Sequence, residues 1–395
     1  MYENQAPLYM SRDIYFGNGM RFTLGDKLAA LNCKRPYVVF DKGVAALGIG
    51  DKIAGILRDT GKFEEVVTYS DIAGEPTSDT VEGIVKAAVA SQVDAFVAVG
   101  GGSAIDACKA AKAIYVSNPD LPVETWITTE VPQIRAEIPF VVIPTTAGTG
   151  SEATEGAMVS HVDEDGKHWK KILEVLSNKY IDFAIVDPEL AVGTPVKVSM
   201  SCAFDVLAHA WEDYVSVKAN PLTKELAMSA IKHFAHSVNR IYADINDLTA
   251  REEMALGCTE VGIAMNCAYC GTGHAMGHAI GAYFHLPHGL ACGLFIPAVM
   301  KWHGDSNYQE LVEIASVFNV VPVAGEEPQA FVDRFAKFMY QFGKSLGVDI
   351  KDHVATAEEC YAIIPGALAD YSWHLGAKEL TEAEAKKIID WAYSF

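Results

Sequence analysis

Short apolar runs bounded by turn residues alternate with amphipathic stretches through the first half of this chain. Pro36-Tyr-Val-Val-Phe-Asp41 reads as a buried strand, and the spacing of Gly50 to Gly61 predicts a helix. Phe63 to Tyr69 reads as a second strand, Thr80 to Ser91 as an amphipathic helix, and Asp94 to Gly100 as a third strand with a helix from about Ala104. Ile138 to Pro144 and Phe183 to Asp187 add further strands. Strands and helices taking turns in this way imply an α/β domain, a parallel sheet covered on both faces. After Asp187-Pro188-Glu189-Leu190 the texture changes, and β-rich runs all but vanish. Helix starts replace them: Asn220-Pro221 puts proline at a first helical position, and Thr249-x-x-Glu252 and Thr381-x-x-Glu384 read as capping boxes. The expectation is an α/β domain over residues 1–190 and an all-α domain over 191–395.

The length supports this division, because 395 residues exceed what one hydrophobic core usually serves. A formal net charge of -20 argues against nucleic acid and anionic membrane as partners, since phosphate neutralisation needs a basic face. The N-terminal MYENQAPLYMSRD lacks the basic-then-apolar pattern of a secretory signal. The long apolar stretch from Gly262 to Met300 is broken by histidines and an asparagine, so it does not read as a membrane span. Eight scattered cysteines lack the density of a disulfide scaffold, which points to a reduced, cytoplasmic setting.

Two loops carry the chemistry of the first half. Gly100-Gly101-Gly102-Ser103 joins a strand to a helix, where glycines admit a close pyrophosphate and the helix offers unpaired N–H groups. It does not fit the GxGxxG fingerprint, because Ile105 takes the last glycine's place. Pro144-Thr145-Thr146-Ala147-Gly148-Thr149-Gly150-Ser151 also follows a strand and is dense in hydroxyls. At the carboxyl ends of parallel strands the two would face one crevice and favour a dinucleotide. Asp41, closing its strand, suits a ribose diol and would repel a 2′-phosphate, favouring NAD over NADP; a solvated turn aspartate is the competing reading.

The second half holds a cluster of metal-type ligands. Asp205-x3-His209 and His274-x3-His278 each place two donors one helical turn apart, and Pro287-His288-Gly289 follows ten residues on. Imidazoles and a carboxylate with an open position suit Fe(II) and Zn(II) alike. The histidines at 161, 168, 233, 236, 303 and 353 read as structural, with His233 and His236 on an exposed face. Cys267-Ala-Tyr-Cys270 has no second CxxC, and reads better as small side chains packed against a neighbouring helix than as a redox or zinc pair.

Taken in order, DAFVAVGGGSAIDACK (94–109), PTTAGTGSEAT (144–154), AIVDPEL (184–190), Asp205-x3-His209 and His274 to Gly289 make the chain resemble the iron-dependent (group III) alcohol dehydrogenase family over nearly its whole length. The resemblance implies a Rossmann-like, dehydroquinate-synthase-like nucleotide domain and a helical domain, with a metal in the cleft between them. It implies Asp205, His209, His274 and His288 as ligands of Fe(II), with Zn(II) the alternative. It places Asp41, Gly101, Gly102, Ser103, Asp106, Thr145, Thr146, Thr149 and Lys171 on NAD(H), and His278 beside nicotinamide and substrate. The reaction implied is hydride transfer between nicotinamide and a short-chain alcohol or aldehyde, with the metal a Lewis acid and His278 a proton relay.

Departures from the family pattern bear on the substrate. Gly376-Ala377-Lys378 stands where Asn-Pro-Arg is frequent, Ser372 where cysteine is common, and Trp373, His374 and His285 are also unusual. If this stretch lines the substrate cleft, a small polar aldehyde, diol-derived or anionic, is expected as the substrate reduced. Two neighbouring readings are a dehydroquinate-synthase-like lyase and a glycerol-dehydrogenase-like enzyme. The first needs several converging cations and the second a different zinc ligation. A nucleotide-binding protein without turnover is a third. A homodimer or larger homo-oligomer is the expected assembly.

Overall fold

The computed structural model describes residues 13–74, 76–123, 125, 138–162, 168–174 and 181–395, and within 161–174 the backbone alone. Its first unit takes in the described residues up to 146 and 151–191. The strands are β1 (Asp13–Phe16), β2 (Pro36–Phe40), β3 (Val67–Tyr69), β4 (Ala95–Gly100), β5 (Phe140–Pro144), β6 (Gly156–Val162), β7 (His168–Glu174) and β8 (Phe183–Val186). Six of them form one sheet in the order β1-β8-β5-β4-β2-β3, with every pairing parallel. The remaining two, β6 and β7, form an antiparallel hairpin that sequence patterning does not reveal.

Strands β2, β4, β5 and β8 are buried along their whole length, the condition under which continuous Val, Ile, Phe and Ala runs are stable. Successive side chains serve opposite faces. Tyr37, Val39, Phe96, Ala98 and Val142 share a core with α4 (Ser78–Ser91) and α5 (Gly102–Ser117). Val38, Phe40, Val97, Val99 and Ile143 pack instead with α1 (Leu24–Ala29) and α3 (Ile49–Asp59), while the short α2 (Lys42–Ala46) follows β2. The strand expected over 63–69 begins only at Val67, because the Glu64 and Glu65 amides both turn to the Lys34 carbonyl. Asp187 of the AIVDPEL run is an anchor, accepting from the Gly19 and Arg21 amides at 3.1 Å and from the Arg21 guanidinium at 2.7 Å.

The second unit comprises residues 192–395 together with 147–150. Its described residues form helices α6 (Val196–Val215), α7 (Pro221–Ala243), α8 (Leu248–Ala268), α9 (Thr272–Phe284), α10 (His288–His303), α11 (Tyr308–Val317), α12 (Pro328–Ser345), α13 (Ala357–Cys360), α14 (Ile364–Ala369) and α15 (Glu382–Ser394), with short 3-10 turns between them. Asn220 and Thr223 close a reciprocal capping box at α7, and Thr381 caps α15 through the Glu384 amide. The box expected at Thr249 is displaced: Asp247 caps α8 through the Ala250 amide, so Thr249 lies inside the first turn. Asp247 wins because its carboxylate also pairs with Arg240. Of the two histidines expected on an exposed face, His236 is exposed but His233 is half-buried, its Cβ close to Gly257 of α8. Among the described residues no helix is long and apolar enough to cross a membrane.

Candidate metal and nucleotide sites

Helix α6 carries Asp205 and His209 one turn apart, α9 carries His274 and His278 one turn apart, and α10 opens on His288. Three glycines let these helices close up. A Cβ on Gly289 would lie 2.3 Å from the Ser201 carbonyl oxygen and 2.8 Å from Asp205 Cβ; one on Gly277 would lie 2.7 Å from Cys292 Cα; one on Gly293 would lie 2.8 Å from Phe204 Cβ. The Leu290 amide then bonds Ser201 Oγ at 2.9 Å, seating the first turn of α10 on α6. That seating brings His288 Nε2 to 3.5 Å from Asp205 Oδ1.

The result is a four-donor cluster. Ligand-type atoms of Asp205, His209, His274 and His288 all lie within 4.8 Å of one another. His209 Nδ1 and His274 Nε2 are each 3.8 Å from Asp205 Oδ1. Atoms held roughly 2.1 Å from one tetrahedral ion sit about 3.4 Å apart, so the three histidine distances to Asp205 Oδ1, 3.5 to 3.8 Å, are close to that spacing. Asp205, His209 and His274 are buried, and His288 is half-buried, which leaves the cluster approachable from one side. His209 Nδ1 and His274 Nε2 are buried without a hydrogen-bond partner among the described residues, a costly state for an imidazole unless a ligand satisfies it. The donor set therefore fits a first-row divalent ion. Burial and the neighbouring His274 and His278 rings hold His209 well below the ordinary imidazole range, so its lone pair is available.

One carboxylate that sequence reading missed organises this cluster. Glu212, a turn beyond His209, accepts from the Gly271 amide at 2.8 Å, the His274 amide at 3.2 Å, the Gly273 amide and His274 Nδ1. It caps the N-terminus of α9 from another helix and fixes the His274 ring with Nε2 toward Asp205. Glycines at 271 and 273 are required, because a Cβ at either would meet the Glu212 carboxylate within 3.0 Å. Burial opposes its charge, but His274 and the two glycine amides outweigh burial and hold Glu212 below its usual range. Burial likewise opposes a proton on His274, yet Cys270, Cys292 and Glu212 together raise it well above the ordinary value.

His278 does not join the four donors. Its ring stacks on His288 at 5.3 Å and stands edge-on to His274 at 5.7 Å, while its Nδ1 donates to Asp370 Oδ2 at 2.7 Å. Asp370 is the second residue that sequence reading missed. In the stretch that follows it, Ser372 is buried, Trp373 is half-buried, and exposed His374 stacks on Trp373. His285 is the left-handed C-cap of α9 and is exposed. Cys267 is buried and accepts from Asn220 Nδ2 at 3.3 Å, in line with its reading as packing.

In the α/β unit the two candidate nucleotide loops meet. The Thr145 amide bonds the Gly100 carbonyl at 2.9 Å, and a Cβ on Gly101 would stand 3.0 Å from Thr146 Oγ1. Gly101 is the N-cap of α5 and supplies no side-chain cap, leaving the first amides around Gly102 and Ser103 to another acceptor. Asp41 caps α2 through Oδ1 to the Val44 amide at 2.8 Å, and its Oδ2 faces Gly100 across the adjacent strand end. Asp106 is turned to the protein instead, accepting from Ser151 Oγ at 2.5 Å and the Met158 amide at 2.9 Å, beside the buried Lys109. Thr149 belongs to the helical unit, where Gly148 and Gly150 press on Cys202 and Gly262. Lys171 pairs with Val159 in the hairpin, and its side chain lies outside the described residues.

Comparison with known proteins bears on both parts of the chain. The iron-containing alcohol dehydrogenase family model matches residues 11–188, and the Fe-containing alcohol dehydrogenase family C-terminal model matches residues 199–393. The chain is 29% identical to the NADPH-dependent butanol dehydrogenase of Clostridium saccharobutylicum, over 97% of each chain. It is 27% identical to the lactaldehyde reductase of Escherichia coli K12, over 92% of this chain and 93% of the relative. A solved structure of 1,3-propanediol oxidoreductase superposes with a TM-score of 0.89 at 26% identity, covering 98% of this chain and all of the other.

Proposed function

The chain belongs to the iron-containing alcohol dehydrogenase family, and from that premise we propose that it reduces a small, uncharged, hydroxylated aldehyde with NADH at an Fe(II) centre. The observation that carries the metal assignment is the largely buried quartet Asp205, His209, His274 and His288, with two imidazole nitrogens that have no hydrogen-bond partner among the described residues. Zn(II) remains the chemical alternative for this donor set. When bound, the ion supplies Lewis acidity to a substrate oxygen.

The rest falls to the chain's own groups. In this reading the domain expected over residues 1–190 holds the nucleotide. Gly101, Gly102 and Ser103 offer amides to the pyrophosphate, Thr145, Thr146 and Thr149 offer hydroxyls, Lys171 adds a cation, and Asp106 braces the loop. The Asp41 carboxylate takes the ribose diol, selecting NAD(H) although one relative uses NADPH. Residues 191–395 hold metal and substrate, with His278 moving the proton at the reacting oxygen. The eight cysteines, all free thiols, fit a reducing cytoplasmic setting, and a homodimer is the simplest assembly.

The substrate reading rests on electrostatics. Asp205, Glu212 and Asp370 crowd the histidine cluster. Lys378, the cation nearest in sequence to the Ser372–His374 stretch, is committed to the Trp302 carbonyl at 2.5 Å and to Asp305. In this reading the carboxylates around the cluster, with Lys378 turned to its own partners, favour a neutral polar aldehyde over an anionic one. The test is NADH oxidation by Fe(II)-loaded protein with glycolaldehyde, butanal and succinic semialdehyde. Glycolaldehyde is expected to have the highest kcat/KM; a higher value for the carboxylated aldehyde would overturn the substrate reading.

A further inference from the structure

Asp370 stands at the start of the turn Tyr371–Leu375, and its two carboxylate oxygens have separate tasks. Oδ1 accepts from the Ser372 amide at 2.8 Å, and Oδ2 accepts from His278 Nδ1 at 2.7 Å. The partners come from distant parts of the chain, 92 residues apart, and the pair keeps limited solvent access, with side-chain exposures of 11% for His278 and 19% for Asp370. Burial alone would raise the Asp370 carboxyl, but the bonds from His278 and Ser372 outweigh it and hold the group far below its usual range, so it stays an anion.

We propose that Asp370 is a positioning residue for His278, fixing both the plane of the ring and the tautomer with the proton on Nδ1. This rests on His278 being the proton relay. A carboxylate is acceptor-only, so His278 donates from Nδ1, and in its neutral form it carries its lone pair on Nε2, the nitrogen turned away from Asp370. The ring is wedged between Asp370 and the imidazoles of His274 and His288, which sets its tilt to the donor cluster. Asparagine cannot reproduce this. Its amide oxygen would be needed by the Ser372 amide, and its NH2 would then face Nδ1, forcing the proton onto Nε2. Serine would keep the turn capped but not reach His278.

The experiment uses Fe(II)-loaded Asp370→Asn, Asp370→Ser and His278→Gln, with the Asp370→Asn/His278→Gln double variant. Melting temperature and iron content serve as controls. Both Asp370 variants are expected to lose roughly 10²-fold in kcat, the usual worth of a placed acid–base group, with KM for NADH and aldehyde changed little. The double variant is expected to be no slower than His278→Gln alone, because Asp370 acts through that ring. Serine at wild-type rate would show that Asp370 only caps the turn, and losses that multiply would show a role independent of His278; either result overturns the proposal. His278→Gln at wild-type rate would instead remove the relay reading on which it rests.

Discussion

Replacing Glu212 by glutamine changes one oxygen to NH2 and nothing in size, yet it strikes the proposed ligand His274 from behind. In the native arrangement Oε2 takes both the Gly271 amide and His274 Nδ1, while Oε1 takes the Gly273 and His274 amides. If the glutamine oxygen keeps the Oε1 bonds, its NH2 faces the Gly271 N–H and leaves that donor orphaned in a buried site, costing about 1–3 kcal/mol of stability. The same NH2 faces His274 Nδ1 and favours the tautomer protonated on Nε2, the nitrogen turned toward Asp205. Loss of such a supporting partner typically weakens metal binding about 10- to 100-fold, or roughly 1.4–2.7 kcal/mol. The assay is chelator competition for Fe(II) or Zn(II) under anaerobic conditions, with circular dichroism to show that the variant is folded. A folded variant holding metal within about twofold of wild type would refute the argument that Glu212 orients His274 for the ion.

Further outcomes follow from the same geometry. Gly289→Ala must push α10 away from the Ser201 carbonyl and Asp205; we expect about 1–3 kcal/mol of destabilisation from overpacking and weaker metal retention, read by melting and by iron content after dialysis. His303 is buried and its imidazole is pushed down to about 4, so as pH falls below about 6.5 the unfolded chain takes up a proton that the folded chain refuses. Stability is therefore full above pH 6.5 and falls by about 3 kcal/mol toward pH 4; His303→Gln should flatten that limb in denaturant titrations run across the interval. Asp213 is buried beside Glu212 with neither carboxylate oxygen bonded among the described residues, and burial holds its carboxyl well above the usual range. Its contribution is favourable below the unfolded value near 4 and is lost as pH rises, so the melting-temperature gain of Asp213→Asn should be larger at pH 7 than at pH 4.5. Asp41→Gly should raise kcat/KM with NADPH relative to NADH, and an unchanged ratio would remove Asp41 from the ribose.

The sequence made the four-donor cluster legible because helical periodicity is local: Asp205 with His209 and His274 with His278 are set by a four-residue spacing. The partners that orient the histidines were not legible for the opposite reason. Glu212 and Asp370 lie 62 and 92 residues from their histidines, and a carboxylate within a helix or at a turn carries no mark of so distant a bond. Nothing in the sequence marks the role of glycines 271, 273, 277 and 289; only packing shows that each makes room for a carboxylate or a neighbouring helix. In the α/β unit, strands buried on both faces announced themselves as apolar runs. The β6–β7 hairpin did not, since His168-Trp-Lys-Lys-Ile-Leu-Glu174 carries too much charge to read as a strand. Nor could the glycine-loop run show that the Asp106 carboxylate accepts from Ser151 Oγ and the Met158 amide.

The central claim is that one divalent ion at Asp205, His209, His274 and His288 is required for aldehyde reduction. Its most direct test is an anaerobic titration of metal-stripped protein with Fe(II), following bound iron and NADH oxidation together. Activity is expected to rise in proportion to iron up to one ion per chain, with both lost in His274→Ala. Full turnover by the stripped protein, or by an iron-free His274→Ala variant, would contradict it.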